Sequence, residues 1–262
     1  MTGALPSGTV TFVFTDIEGS TKLLQELGDE YADVSRDHRR IVREAFGAHD
    51  GTEIDTQGDS FFFSFTRARD AAAAAVEAQR TLEAHAWPQG KTVRVRMGLH
   101  TGEPTVGDEG YLGLDVVRAA RISAAGHGGQ ILLSETTRAL LGNQLPANAS
   151  IHDLGRRELK DIQHEQLYEL ALDDRPAVTE PLRTDAVDSR TDAMAKRFED
   201  RITAYVEQQL EAAFKGGEPG QSKPPDVPVG LAAKGLGIAG LSLLMIVVVV
   251  VLAALLVKVV FF

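Results

Sequence analysis

Two short acidic strings carry the chemistry this chain could do: Phe14-Thr15-Asp16-Ile17-Glu18-Gly19-Ser20-Thr21 and Gln57-Gly58-Asp59-Ser60. The first sets Asp16 at the end of an apolar run and follows it with small residues that open a helix, for which Ser20 or Thr21 would be the cap. Backbone N–H groups at such a helix start, here along Glu18 to Thr21, can hold phosphates. The second string sets Asp59 at the tip of a hairpin. If the strand ends neighbour one another in a sheet, Asp16 and Asp59 meet. Two hard carboxylates side by side are costly without a cation, and they suit Mg2+ or Mn2+ bridging a triphosphate. Turn and capping aspartates explain the same strings about equally well, so each string alone decides little.

The elements that must position these residues follow from periodicity. Thr9 to Thr15 reads as a strand; Leu23, Leu24 and Leu27, then Ile41, Val42 and Phe46, keep a helical period. Thr52 to Gln57 and Ser60 to Phe65 read as strands joined at Gly58-Asp59. Ala71 to Leu82 is a helix former stopped by Trp87-Pro88. Thr92 to Leu99 is a strand, Leu114 to Ala125 a helix and Gln130 to Leu133 a short strand. The order β-α-β-β-α-β is a ferredoxin-like, α+β arrangement of sheet and helices.

The chain has 262 residues and a formal net charge of −10, with no long basic run. That argues against a nucleic-acid binder, whose footprint is a Lys/Arg-rich face. With no cysteine, thiolate catalysis, disulfides and Cys-based zinc sites are excluded. No phosphate-binding G-x-x-x-x-G-K-[ST] loop, H-E-x-x-H helix or G-x-S-x-G elbow is present.

The C-terminal end has a different character. Gly235 to Val257 contains no charged residue and is flanked by Lys234 and Lys258. As a helix it would span about 34 Å, enough to cross a bilayer core of about 30 Å. A buried core helix is the alternative, but runs of this length without charge are rare in soluble folds. The expectation is a single-pass C-terminal anchor over 234–258 with a short tail at 259–262. Met1 to Gly8 lacks the regions of a signal peptide, so the domain before the anchor is expected in the cytoplasm, at the cell membrane. Gly235, Gly237 and Gly240 spell G-x-G-x-x-G, but neither a preceding strand nor a following acidic residue supports a dinucleotide site. The remaining ranges are a folded domain over 1–172, an acidic and loose connection over 173–192, an amphipathic helix over 193–215 and a Gly/Pro-rich linker over 216–233. The apolar stripe of that helix, Met194, Phe198, Ile202, Val206, Leu210 and Phe214, could pack on the domain or pair with a second copy.

Taken together, the strings become specific. Val13 to Thr21, Gln57 to Phe62, Val95-Arg96-Met97-Gly98-Leu99-His100-Thr101-Gly102, Tyr111 to Ile122, His127 to Ser134 and Leu159-Lys160-Asp161 resemble, in order and spacing, the class III nucleotidyl cyclases, most of all the actinobacterial adenylate cyclase branch. The resemblance covers about Thr9 to Leu170. It implies that Asp16 and Asp59 bind two divalent ions, Mg2+ or Mn2+, with the Ile17 carbonyl as a further ligand. It implies that Arg121 stabilises charge on the α-phosphate, that Lys160 binds the triphosphate, and that Arg121 comes from the opposite subunit of a homodimer. The reaction implied converts a nucleoside triphosphate, ATP first, to its 3′,5′-cyclic monophosphate and pyrophosphate.

Three positions depart from the family pattern. Asp55 stands where purine-selecting cyclases carry a lysine, Gly110 (or Asp108) where its acidic or hydroxyl partner falls, and Val117 where an asparagine donor precedes the arginine. Asp55 and Gln57 are the candidates to read the base edge. These departures support a second reading, a membrane-tethered domain that has lost catalysis and binds nucleotide or regulates. A diguanylate cyclase shares the core, but no G-G-[DE]-[EF] string is present.

Overall fold

In a computed structural model of the chain, the described residues are 5–107, 110–160, 162–173, 175, 176, 178, 180–183, 196 and 200. The chain divides into two units, Met1–Lys215 and Gly216–Phe262. The second unit, with the expected anchor and the Gly/Pro linker, lies outside the described residues, as does most of the expected amphipathic helix. Among the described residues no helix is long and apolar enough to cross a membrane.

The domain is built on a seven-stranded sheet. In chain order the elements are β1 (Val10–Ile17), α1 (Ser20–Leu27), α2 (Tyr31–Ala48), β2 (Thr52–Gln57), β3 (Ser60–Phe65), α3 (Ala68–Ala84), β4 (Val95–Gly102), β5 (Thr105–Gly107), β6 (Gly110–Leu112), α4 (Leu114–Ala125), β7 (Ile131–Ser134), α5 (Glu135–Leu141), β8 (Ala149–Leu159) and β9 (Ile162–Leu172). The strand order is β2-β3-β1-β4-β7-β9-β8, with β5 and β6 as a separate pair. Its first four strands, with α2 and α3 between them, are the βαββαβ core expected from the sequence.

β1 and β3 are buried along their whole lengths because both faces of the sheet are covered. Phe61, Phe63 and Phe65 join Ile41, Val42 and Phe46 of α2 and the alanine face of α3 in one core. The opposite face of the same strands carries Phe12, Phe14 and Phe62, packed with Tyr111, Val116, Ala119 and Ala120. Phe14 stacks on Phe62 with ring centroids 4.4 Å apart, and Tyr111 meets Phe12 edge-on at 4.9 Å. A third cluster, Ile122, Ala125, Leu132, Leu159 and Leu167, ties α4 to the β8–β9 hairpin.

α4 lies unusually close to β4. A Cβ on Gly98 would sit 2.2 Å from the Ser123 nitrogen, and one on Gly102 would meet Asp115 Oδ2 at 2.2 Å. His100, between them on that face, shares hydrogen bonds with Asp115 (3.0 Å) and Ser134 (2.9 Å). The His100 hydrogen bond holds the Asp115 carboxyl below the usual carboxylate range, against the opposing effect of burial.

Beyond α3 the chain turns through Trp87, which is 7% exposed. Its Nε1–H donates to the Leu82 carbonyl at 3.0 Å, and its ring meets His85 edge-on at 4.4 Å. Trp87 lines a cavity of about 410 Å3 with Gln79, Arg94, Gln130 and Arg175.

The stretch expected as a loose acidic connection begins as a docked segment. Arg175 forms a two-pronged ion pair with Glu83 (2.9 and 2.7 Å), the Val178 N–H donates to Glu169 Oε2 (3.0 Å), and Leu182 packs on the third cluster. Two of its acidic residues take part, Asp173 with Arg80 (2.8 Å) and Glu180 with His127 (3.8 Å), beside the backbone groups, Leu182 and Arg175.

Candidate active site

The antiparallel β1–β3 register, which runs to Thr15 opposite Phe61, carries Asp16 to the level of Ser60. Ser60 Oγ donates to Asp16 Oδ1 at 3.0 Å, and Asp59 is the next residue along the hairpin. The two carboxylates expected to meet therefore lie at neighbouring strand ends, 2% and 1% exposed. Gly58, at φ 63°, makes the tight turn. Arg39 of α2 pins that turn, donating through Nη2 (2.7 Å) and Nε (3.2 Å) to the Gly58 carbonyl.

Asp16 also accepts from Arg96 Nη2 at 2.6 Å, in an ion pair buried to 1% and 3% exposure. Arg96 is the residue directly opposite Asp16 in β4. Neither Arg39 nor Arg96 was singled out from the sequence. The signal for Arg96 was its place in a strand of strict alternation, on the face that also carries Gly98, His100 and Gly102.

The small-residue loop differs from expectation in detail. α1 begins at Ser20, but no side chain caps it; Gly19 precedes it in the left-handed region at φ 68°. Glu18 does not contribute its N–H to a phosphate cradle, because that group donates to the Arg94 carbonyl at 2.9 Å, extending the β1–β4 pairing. Its carboxylate is also engaged, with Arg183 Nη1 at 3.2 Å and His127 Nδ1 at 3.9 Å. The N–H groups of Ser20, Thr21 and Lys22 are the ones an α-helix cannot satisfy internally, since the Leu23 N–H already donates to the Gly19 carbonyl at 3.0 Å.

The other expected site residues are spread around this centre. Asp55 and Gln57 share one face of β2, the strand outside β3, with a bulge between Glu53 and Asp55. Asp55 Oδ1 accepts from the Thr56 N–H (2.9 Å), and Gln57 Oε1 is a buried acceptor with no hydrogen-bond partner among the described residues. Arg121 is not a surface arginine: it is 4% exposed, on the buried side of α4. Val117, one turn earlier, is 2% exposed. Lys160 is exposed in the β8–β9 turn, next to Leu159 of the third cluster. None of these residues lines the cavity beside Trp87.

The donor set fits a hard divalent cation. Asp16 and Asp59 bring carboxylates to adjacent strand ends, and Ile17, 1% exposed beside Asp16, adds a backbone carbonyl to the end of β1. No group of three or more His, Cys, Asp or Glu gathers among the described residues. Such a site leaves coordination positions for substrate phosphates, as Mg2+ sites commonly do.

Residues 4–171 match the family model described as the adenylate and guanylate cyclase catalytic domain. The chain is 39% identical over 196 residues to the uncharacterized protein Rv0891c of Mycobacterium tuberculosis, covering 74% of this chain and 66% of that protein. It is 30% identical over 176 residues to an adenylate cyclase of Podospora anserina, covering 56% of this chain but 8% of the fungal protein. It thus spans just under two thirds of the mycobacterial relative and a small part of the fungal one. Among solved structures, adenylate cyclases of Trypanosoma brucei in their monomeric state superpose with TM-score 0.62 at 25% identity, over 70% of this chain and 96% of that one. The adenylyl cyclase CyaB of P. aeruginosa, 24% identical, shares the fold with TM-score 0.53, over 65% of this chain and 96% of that one. The chain belongs to the adenylate and guanylate cyclase catalytic-domain family.

Proposed function

We propose that this protein converts a nucleoside triphosphate, ATP first, to the 3′,5′-cyclic monophosphate and pyrophosphate in a homodimer. The observation that carries the reading is the buried Asp16–Asp59 pair at adjacent strand ends beside the start of α1. Asp16, Asp59 and the Ile17 carbonyl would hold two divalent ions, Mg2+ or Mn2+. When bound, these supply Lewis acidity toward the ribose 3′-hydroxyl and charge neutralisation for the triphosphate.

The chain's own residues do the rest. The first-turn N–H groups of α1, with Gly19, Ser20 and Thr21 small enough for close approach, receive the phosphates. The 3′-oxygen attacks the α-phosphorus, its proton leaves to solvent, and the bond to the pyrophosphate oxygen breaks. Arg121 of the partner subunit places a fixed fork of donors against the charge that develops on the α-phosphate. Lys160 would bind the β- and γ-phosphates that leave as pyrophosphate. Gln57, with its buried carbonyl oxygen, and Asp55 read the base edge; an acceptor there favours the amino group of adenine. The run from Gly235 to Val257 tethers the enzyme to the cell membrane with the catalytic domain in the cytoplasm.

A second reading, a nucleotide-binding domain without turnover, has one observation in its favour. Val117 is buried and apolar at the position where a donor would assist Arg121. The experiment that separates the two uses the full chain in detergent with ATP, GTP, CTP or UTP and Mn2+, followed by chromatography for cyclic product. Product from one triphosphate, lost in Asp59→Ala, is the expected result. No product from any of the four at high protein concentration overturns the enzyme. Mixing Asp59→Ala with Arg121→Ala is expected to restore part of the activity, since the heterodimer contains one complete site.

A further inference from the structure

The segment that follows β9 is tied, at Arg183, to two elements of the candidate site. The Arg183 N–H donates to the Ala125 carbonyl at 3.0 Å, and Arg183 Nη1 donates to Glu18 Oε1 at 3.2 Å. Ala125 is the last residue of α4, the helix of Arg121, and Glu18 opens the loop that leads to the first turn of α1. An α-helix leaves its last carbonyls without internal donors. In α4 two of them are met from outside, Ala125 by Arg183 and the Ala124 carbonyl by Arg96 Nη1 at 3.3 Å. Beside Arg183, His127 Nε2 donates to the Pro181 carbonyl at 2.9 Å, and its Nδ1 lies 3.9 Å from Glu18 and 3.8 Å from Glu180. In a homodimer with shared sites, the segment thus touches the phosphate loop of one site and the helix that serves the other.

The hold is light. The Arg175–Glu83 and Arg183–Glu18 pairs are both partly exposed to solvent, and Leu182 only borders the third core cluster. Exposed ion pairs contribute little to stability, so the segment can leave while the sheet stays folded. We propose that the residues from Arg175 to Arg183 form a strap whose docking sets the nucleotide affinity of the site. Docked, it fixes the Glu18 loop and the end of α4 against each other. Released, it lets both move, and the site binds nucleotide more weakly. The inference rests on the reading above, in which this loop leads the phosphates to α1. Binding linkage is reciprocal, so bound nucleotide must in turn hold the strap down. A segment that only covered the domain would dock equally well with the site full or empty.

The chain has no cysteine, so a thiol placed at residue 182 reports on the strap alone. Leu182→Cys, as the full chain in detergent, is labelled with N-ethylmaleimide and followed by mass spectrometry. The rate is measured with and without Mn2+ and 3′-deoxy-ATP or 3′-deoxy-GTP, which lack the attacking hydroxyl and cannot turn over. Bound nucleotide is expected to slow labelling roughly fivefold or more. Adding Arg175→Gln removes the Glu83 pair, which touches no site residue; labelling without nucleotide becomes faster and is still slowed by nucleotide. Adding Arg183→Gln instead cuts the tie to Glu18: labelling is fast and indifferent to nucleotide, and the analogue binds more weakly in equilibrium dialysis. A rate at residue 182 that is equal with and without bound nucleotide overturns the proposal. So does an Arg183→Gln chain that nucleotide protects as fully as it protects Arg183. Should Leu182→Cys not fold, hydrogen exchange at the Val178 and Arg183 amides of the wild-type chain reads the same linkage. Protection by nucleotide there supports the strap, and unchanged exchange overturns it. Wild type that binds neither analogue in a manner sensitive to Asp59→Ala removes the substrate reading itself, a failure distinct from a strap that ignores bound nucleotide.

Discussion

His38 of α2 is 0% exposed, and neither ring nitrogen has a hydrogen-bond partner among the described residues. Burial, with a smaller push from neighbouring Arg39, lowers its pKa from 6.5 to about 3. The folded state thus resists a proton that the unfolded chain accepts. Its contribution is fully present above pH 6.5 and is lost as the pH falls from there toward 3, by up to about 1.4 kcal/mol per pH unit. His38→Leu removes a titrating ring that makes no hydrogen bond, so stability in urea at pH 5 should rise toward its value at pH 7.5. An unaltered difference between those two pH values would contradict the assignment. This acid sensitivity belongs to the core beside Phe61, whose ring lies 5.7 Å from His38.

At the scale of elements, β4 is the seat of α4, and its residues 96, 98, 100 and 102 all serve that contact. Gly98→Ala would place a methyl 2.2 Å from backbone of α4, which must move as a unit. A loss of about 1–3 kcal/mol is expected, with a larger loss of cyclase activity because Arg121 moves with the helix. Gly102→Ala meets the end of the Asp115 side chain instead, and should cost less. Thermal melts of the two variants rank them; an equal or reversed ranking would refute a rigid seat for α4. This face also shows what the sequence conveyed and what it hid. Val95, Met97 and Leu99 alternate with Arg96, Gly98 and His100, so the strand was legible, and its polar face reads as solvent-exposed. In fact a helix covers it, and the charged and small residues are what let the helix approach. Arg96 was therefore not singled out as a site residue, its only signal being its place in that alternation, while Asp16, at the end of an apolar strand, was. The boundaries of β2, β3 and α4 came straight from turn glycines and apolar periods. The long β8–β9 hairpin did not, because its charged residues interrupt any clean alternation.

For the whole molecule, the proposed anchor over 234–258 would join a domain that, as proposed, works in pairs. Confinement to a membrane raises the effective concentration of one copy for another. The full chain is expected in the membrane pellet after alkaline carbonate extraction, and a chain ending at Lys215 in the supernatant. The shortened chain should show specific activity that rises with concentration, while the tethered form in vesicles depends less on total protein. A full chain released by carbonate would refute the anchor. The chain also carries its own lamp. Trp87 is the one tryptophan of the sequence, sealed where α3 gives way to β4 and bordering the cavity that Arg175 helps to close. Its emission therefore comes from a single place, free of overlap from other indoles, with a histidine ring against it as a neighbouring quencher. Undocking of the segment at Arg175 would be seen as a change in colour and brightness at Trp87, without any label and without waiting for catalysis.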